Sequence, residues 1–178
     1  MKTAITYLVG FMGAGKTEVG RRLAELLSWT FVDLDQEIVR REGISISEIF
    51  QRRGEACFRV LEREELERVS RGQKLVVAVG GGCFCSSENR AVMGQTGISV
   101  WLDAPMEVLF ARCAGDAAAR PLLTTVEAMA RLLEIRTPFY ARAELHVQTA
   151  GRSVDEVARE ILAQQRQSLR GPGKTPEF

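Results

Sequence analysis

Short apolar runs alternate along the chain with longer stretches in which apolar residues recur at helical spacing. The short runs predict five strands, at 3–9, 30–33, 75–79, 98–102 and 144–148. The run at 75–79 is apolar throughout, which is typical of a central parallel strand that is covered on both faces.

The stretches between these runs predict helices. Their expected positions are 16–28, 36–41, 55–70, 88–93 and 105–113, with further helices beginning near 45, 124 and 153. The last three begin at the spacing of a capping box, namely Ser45 to Glu48, Thr124 to Glu127 and Ser153 to Glu156. Residues 115–124 are small and polar and predict a loop, and 169–178 contains Gly-Pro-Gly and predicts a frayed tail.

Strands that alternate with helices predict an α/β fold with a parallel sheet and right-handed crossovers. A chain of 178 residues corresponds to one domain, which we place at 1–168. Ligands of such folds bind beyond the carboxyl ends of the strands. Three segments with unusual chemistry follow predicted strands: 10–17, 33–35 and 80–82.

The segment 10–17 reads Gly-Phe-Met-Gly-Ala-Gly-Lys-Thr and matches the phosphate-binding pattern G-x-x-x-x-G-K-[ST]. Its glycines allow the backbone amides to turn toward phosphate oxygens, and the following helix adds its positive end. Lys16 would supply a charge to the β- and γ-phosphates of ATP, and the Thr17 hydroxyl would ligate Mg²⁺. The expected ATP-binding residues of this loop are Gly13, Ala14, Gly15, Lys16 and Thr17.

Two carboxylates, Asp33 and Asp35, follow the second predicted strand. If the chain stays extended there, alternate residues share a side and both carboxylates face the cleft. Asp33 would then hold Mg²⁺, directly or through water, and Asp35 would bind acceptor hydroxyls and take the proton of the attacking one. Helix capping by either residue is the alternative.

Two arginines are candidates for binding a carboxylate, because a guanidinium fork fits that group bidentately. Arg59 lies beside buried surface on a predicted helix, with Glu62 near enough to steer it. Arg136 lies late in another helix. Gly81 and Gly82 offer bare backbone that a ligand can approach closely. For either arginine alone, a surface or salt-bridge role is the alternative.

Three further arginines are candidates for the nucleotide. Arg120 lies in the small-residue loop and would suit a mobile lid at about 113–125 that closes over phosphates, although a solvated loop is the alternative. Arg112 and Arg152 could flank the adenine.

Composition narrows the function classes. Hydrophobic residues make up 46% and charged residues 26% of the chain, as in an ordinary globular protein. The net charge of +1 gives no global attraction for nucleic acid or an anionic membrane. A signal peptide is not expected, and the four cysteines predict reduced thiols in the cytoplasm; a metal site at Cys83 and Cys85 is not expected. His146 is expected to be structural.

Together these residues resemble the shikimate kinase family, over about residues 5–161. The resemblance rests on Gly10-Phe-Met-Gly-Ala-Gly-Lys-Thr17, Asp33-Leu-Asp35, Gly54-Glu-Ala-Cys-Phe-Arg59 with Glu62, Val79-Gly-Gly-Gly82, Arg120-Pro-Leu-Leu123 and Arg136-Thr-Pro-Phe-Tyr140. It implies a three-layer αβα P-loop fold with a five-stranded parallel sheet, an acceptor-binding helical insertion at about 33–62 and a mobile lid.

The resemblance also implies an activity, the transfer of the γ-phosphoryl group of ATP to the 3-hydroxyl of shikimate, with Mg²⁺ as cofactor. The expected oligomeric state is a monomer. It implies that Asp35 binds the shikimate hydroxyls, that Arg59 and Arg136 hold the carboxylate, and that Gly81 and Gly82 touch the ring. Lys16, Asp35 and Arg120 are the expected catalytic residues, and Arg112 and Arg152 lie near the adenine. A related small-molecule kinase such as a gluconokinase, or a non-catalytic ATP-binding module, is the alternative.

Overall fold

The computed structural model describes residues 5–114 and 125–170. Within them, five strands form one parallel sheet in the order β2-β3-β1-β4-β5. The strands are β1 Ile5–Val9, β2 Thr30–Asp33, β3 Leu75–Ala78, β4 Ile98–Asp103 and β5 Leu145–Gln148. The predicted α/β fold class with a five-stranded parallel sheet is confirmed.

Seven α-helices lie within the described ranges and connect or follow the strands. They are α1 Lys16–Leu27, α2 Leu34–Glu42, α3 Ile46–Val69, α4 Ser87–Thr96, α5 Met106–Ala114, α6 Val126–Tyr140 and α7 Val154–Arg170. α2 and α3 form a helical insertion between β2 and β3. Among the described residues, no helix is long and apolar enough to cross a membrane.

The core is centred on β1, whose five residues are all buried between β3 and β4. Burial of each large aliphatic side chain there stabilises the fold by about 1.5–3 kcal/mol. The one phenol in this strand, on Tyr7, has partners in Ser70 and Thr96 at 2.8 and 2.7 Å. This pairing avoids the penalty for an unsatisfied buried hydroxyl. β1 therefore holds the loop that follows it in a fixed place.

Helix starts follow the predicted caps with one correction. The capping boxes at Ser45 and Ser153 are both formed with their glutamates. The third predicted box is wrong, because α6 is capped by Thr125, whose hydroxyl accepts from the Ala128 amide at 3.1 Å. The sequence has two neighbouring threonines at this point. The prediction chose Thr124 because Glu127 lies three residues after it, whereas the helix is capped by Thr125.

The insertion agrees with the prediction of separate helices from near 45 and from 55. α3 is broken at Gly54, whose φ of 78° and ψ of 171° are not helical, so that it consists of two helical segments. α2 packs against α3 through a small separate cluster around Ile38, Ile49 and Phe58. This cluster fixes the first turn of α2 relative to the middle of α3, where several candidate acceptor residues lie.

The predicted tail and lid lie mostly outside the described ranges. α7 continues to Arg170, so residues 169 and 170, which were predicted to belong to the tail, are helical. Residues 115–124, which include Arg120 and most of the predicted lid, and residues 171–178 lie outside the described ranges.

Candidate active site

The loop between β1 and α1 has the form that the phosphate-binding pattern predicts. Gly15 precedes α1 with a φ of 90°, a left-handed conformation that favours glycine. With no side chain, Gly15 leaves the first amides of α1 uncapped, so that they can donate to an anion. Lys16 Nζ donates to the carbonyls of Gly10 and Phe11, both at 2.9 Å, which holds the ammonium group over the loop.

Asp33 connects this loop to the next strand. Its Oδ2 accepts from the Thr17 hydroxyl at 3.1 Å, while its Oδ1 accepts from the Gln36 amide at 3.3 Å and caps α2. The expectation of an extended chain over 33–35 is therefore wrong, because α2 begins at Leu34. Asp33 thus has the capping role that was the alternative, while its other oxygen lies beside the Thr17 hydroxyl. A hydroxyl and a carboxylate placed together are the hard oxygen donors that suit Mg²⁺.

Asp35 lies in the first turn of α2 and faces the glycine run after β3. A methyl group added at Gly80 would lie 3.0 Å from Asp35 Oδ1 and 2.8 Å from Glu62 Oε1. Two carboxylates from different helices therefore converge on one glycine. The absence of a side chain at Gly80 is what leaves room for both.

Arg59 lies on α3 beside the same glycine run. Its Nη1 donates to Glu62 Oε2 at 2.9 Å and its Nη2 to Glu55 Oε1 at 2.9 Å. A methyl group added at Gly82 would lie 2.7 Å from both terminal nitrogens, so only a bare backbone fits beneath the guanidinium. The predicted steering by Glu62 is confirmed. Arg59 also forms the salt bridges that were the alternative role, while its fork lies against the glycines.

Arg136 and Tyr140, on α6, approach the glycine run from a second element. Arg136 Nη1 would lie 3.0 Å from a methyl group at Gly81, and Tyr140 donates its hydroxyl to the Gly81 carbonyl at 2.5 Å. Burial raises the pKa of Tyr140 well above its usual range, so the phenol keeps the proton that it donates. The Arg136 guanidinium also lies 6.0 Å from the ring of Phe11 in the phosphate loop.

The nucleotide side has a cavity of about 220 Å³ beside the start of α1. Arg112 and Arg152 line it together with apolar residues of α1 and α7, including Val19 and Val157. Arg112 donates to the carbonyl of Thr149 at 3.1 Å and to that of Gly13 at 3.3 Å, and Arg152 donates to the Gln148 carbonyl. Both arginines therefore lie at the edge of one cavity, and their place beside the adenine stays a prediction.

Known proteins match this arrangement over most of the chain. A family model described as shikimate kinase matches residues 12–166. The chain belongs to the shikimate kinase family. A shikimate kinase from Persephonella marina is 46% identical over 157 residues, which is 88% of this chain and 95% of the relative.

Solved structures of shikimate kinases also match the chain. A shikimate kinase from Acinetobacter baumannii, solved in complex with shikimate, is 39% identical, has a TM-score of 0.89 and is matched over 96% of both chains. A gluconokinase from Sinorhizobium meliloti is 18% identical with a TM-score of 0.58, which shows a shared fold alone. These matches support shikimate kinase function for the chain, rather than the gluconokinase or non-catalytic alternatives.

Two residues of this shikimate kinase site were not predicted as site residues. Tyr140 ends the motif Arg136-Thr-Pro-Phe-Tyr140. Its hydroxyl, a hydrogen-bonding group in that motif, is the signal from which a site role could have been predicted. Glu62 was noted only as a partner of Arg59, whereas it is 1% exposed and its Oε1 has no hydrogen-bond partner among the described residues. No pattern in the sequence reports that degree of burial.

Burial raises the pKa of Glu62 from 4.5 to about 7, against the lowering effect of Arg59 and with a further increase from Asp35. The folded chain therefore holds a proton there that the unfolded chain releases above pH 4.5. The resulting stabilisation is fully present below pH 4.5 and is lost as the pH rises to about 7. It amounts to about 3 kcal/mol at most.

Replacing Glu62 with glutamine should remove this pH dependence. We expect the free energy of unfolding of the wild-type apoenzyme to fall by about 3 kcal/mol more than that of Glu62→Gln between pH 4.5 and 8. Urea unfolding at a series of pH values measures the difference. Glu64→Gln, an exposed glutamate on the same helix, should keep the wild-type profile. Superimposable profiles for wild type and Glu62→Gln would contradict the prediction.

Proposed function

We propose that the chain transfers the γ-phosphoryl group of ATP to the 3-hydroxyl of shikimate, giving shikimate 3-phosphate and ADP. The observation that carries the proposal is the convergence of one carboxylate and two guanidinium groups on the glycine run beside the phosphate loop. The glycine run and the phosphate loop are in contact, because a methyl group at Gly81 would lie 3.7 Å from the carbonyl oxygen of Gly10. A donor and an acceptor would therefore bind side by side.

The acceptor half of the site suits a small hydroxy acid. It consists of Asp35, Arg59, Gly81, Gly82 and Arg136. Arg59 and Arg136 offer forks to a single carboxylate from two different helices, and Gly81 and Gly82 leave room for a ring. Asp35 binds hydroxyls at the opposite end from the carboxylate and takes the proton of the one that attacks. The new bond forms between that oxygen and the γ-phosphorus, and the bond from the γ-phosphorus to the β,γ-bridging oxygen breaks, so that ADP leaves with the electron pair.

The donor half consists of Gly13, Ala14, Gly15, Lys16 and Thr17, with Arg112 and Arg152 at the adenine. Thr17 and Asp33 would hold Mg²⁺, with the remaining positions filled by phosphate oxygens and water. When bound, Mg²⁺ neutralises charge on the β- and γ-phosphates. Among the described residues there is no group of three or more His, Cys, Asp or Glu side chains that would hold a metal by itself. A Mg²⁺ site that is shared between one or two protein side chains, the phosphates of the nucleotide and water is the usual arrangement for this cation.

We also propose that the single domain acts as a monomer in the cytoplasm. Its four cysteines, all within the described ranges, would remain thiols there. The proposed catalytic role of Arg120 and the lid rests on the family resemblance alone, since those residues lie outside the described ranges.

Arg136→Ala tests the acceptor assignment. We expect the KM for shikimate to rise by about 30-fold or more, because a desolvated charge-assisted contact contributes 2 kcal/mol or more, while the KM for ATP stays within about twofold. Coupled measurement of ADP release with each substrate varied in turn gives both constants. Arg131→Ala, on the exposed side of the same helix, serves as the control.

Two outcomes would count against the proposal. Wild-type protein that releases ADP equally well with gluconate and with shikimate would favour a related small-molecule kinase. An increase in the KM for ATP as large as that for shikimate would remove Arg136 from the acceptor half.

A further inference from the structure

The glycine run 80–82 has no side chains with which to hold its own position. The three residues that follow form a single turn of 3₁₀-helix. The amides of Cys83 and Cys85 donate back to the carbonyls of Gly80 and Gly82, both at 3.0 Å. The placement of the run therefore depends on whatever holds this turn.

The turn is held by the first residues of α4. Arg90, which is half-buried, donates from Nη1 to the carbonyl of Phe84 at 2.7 Å and to that of Cys85 at 2.8 Å. The neighbouring Asn89 donates from Nδ2 to the carbonyl of Cys83 at 3.0 Å. Three successive carbonyls are thus bound by two adjacent side chains. The two bonds from Arg90 are the stronger kind, because the donor carries a charge.

The same guanidinium group also reaches α6. Its Cζ lies 5.5 Å from the ring centroid of Phe139 and 6.0 Å from that of Phe84, within range of a cation–π contact. Phe139 adjoins Tyr140, which donates to the Gly81 carbonyl. Arg90 therefore contacts both of the elements that flank the acceptor half, although it lies on neither.

We infer that Arg90 is a positioning residue for the acceptor. It holds the turn after the glycines against α6 and so fixes the spacing between Gly81 and Arg136, without touching the substrate itself. An arginine that only made surface ion pairs would have carboxylate partners, whereas the hydrogen bonds described here run to backbone carbonyls of the turn. The inference rests on the proposed function, since it assumes that the acceptor binds between the glycine run and α6.

Arg90→Ala tests the inference. We expect the KM for shikimate to rise by about tenfold or more and the KM for ATP to stay within about twofold of wild type, because the hydrogen bonds of Arg90 described above run to this turn and not to the phosphate loop. Arg90→Lys keeps the charge but loses the planar fork, so it should give a smaller increase in the KM for shikimate. Steady-state kinetics with each substrate varied, and thermal unfolding of each variant, provide the measurements.

Arg142 offers a matched control. It is an exposed arginine whose Cζ lies 5.9 Å from the ring of the same Phe139. Arg142→Ala should leave both KM values within about twofold of wild type, since one exposed cation–π contact contributes little.

Three results would overturn the inference: an unchanged KM for shikimate in Arg90→Ala, parallel increases in both KM values, or an equal effect of Arg142→Ala. If Arg90→Ala does not fold, Arg90→Lys is judged by the same comparison of KM values. Wild-type protein without shikimate-dependent turnover would instead refute the proposed function. Active wild type with an unaltered KM in the Arg90 variants would refute only the positioning role.

Discussion

Asp35→Asn is expected to lower kcat by a factor of about 10²–10⁴ while the KM for ATP stays within about twofold. An asparagine side chain keeps the size and the hydrogen-bonding oxygen of the aspartate, but it cannot take the proton of the attacking hydroxyl. Its loss of charge also weakens the orientation of the acceptor. Because Asp35 lies on α2 and does not line the cavity beside Arg112, ATP binding should be unaffected.

Steady-state turnover with saturating shikimate and ATP measures the effect. Asp155→Asn is a matched control, because Asp155 is likewise an acidic residue in the first turn of a helix, but at the start of α7, where it pairs with Arg22 and Arg159. It should keep wild-type turnover. Turnover of Asp35→Asn within a few-fold of wild type would remove the role of general base and leave Asp35 with binding alone.

Lys16→Ala is expected to lower kcat by a factor of about 10³ or more. The ammonium group would supply positive charge beside the transferring phosphoryl group, where removal of a single donor typically costs a factor of about 10²–10³ in kcat and a full charge contributes more. Phosphoryl transfer leaves little covalent work for the protein, so most of the rate acceleration depends on such charges.

The loss must be separated from a distorted loop, because Lys16 also donates to the carbonyls of Gly10 and Phe11. Lys16→Met, which keeps the length of the side chain without the charge, should be as slow as Lys16→Ala. Lys74→Asn removes an exposed lysine at a position whose φ of 55° asparagine tolerates, and it should be fully active. Activity in Lys16→Met near that of wild type would show that the charge is dispensable.

The sequence predicted those parts of the molecule that depend on neighbouring residues. The phosphate loop is a local pattern of glycines, a lysine and a threonine between a strand and a helix, so its spacing alone determined it. The five strands could be predicted for a similar reason, since each is a short apolar run that must be covered by helices. Both predictions needed only the order of residues along the chain.

Other parts depend on residues that are far apart in sequence and could not be predicted. Tyr140 donates to Gly81 across 59 positions, and only the packing of α6 against the turn after the glycines brings them together. The burial of Glu62 likewise depends on α2, α3 and β3 together. The error at 33–35 had a different cause, because an aspartate after a strand suits an extended chain and a helix cap equally well.

Asp33 has a consequence for how the two substrates affect one another. One carboxylate joins the start of α1, through Thr17, to the start of α2, which carries Asp35. Phosphate and metal bound at Thr17 would therefore act on the same carboxylate that caps the helix carrying Asp35. Thermodynamic linkage requires any coupling free energy through this side chain to be the same in both directions, so each substrate would change the affinity for the other by the same factor.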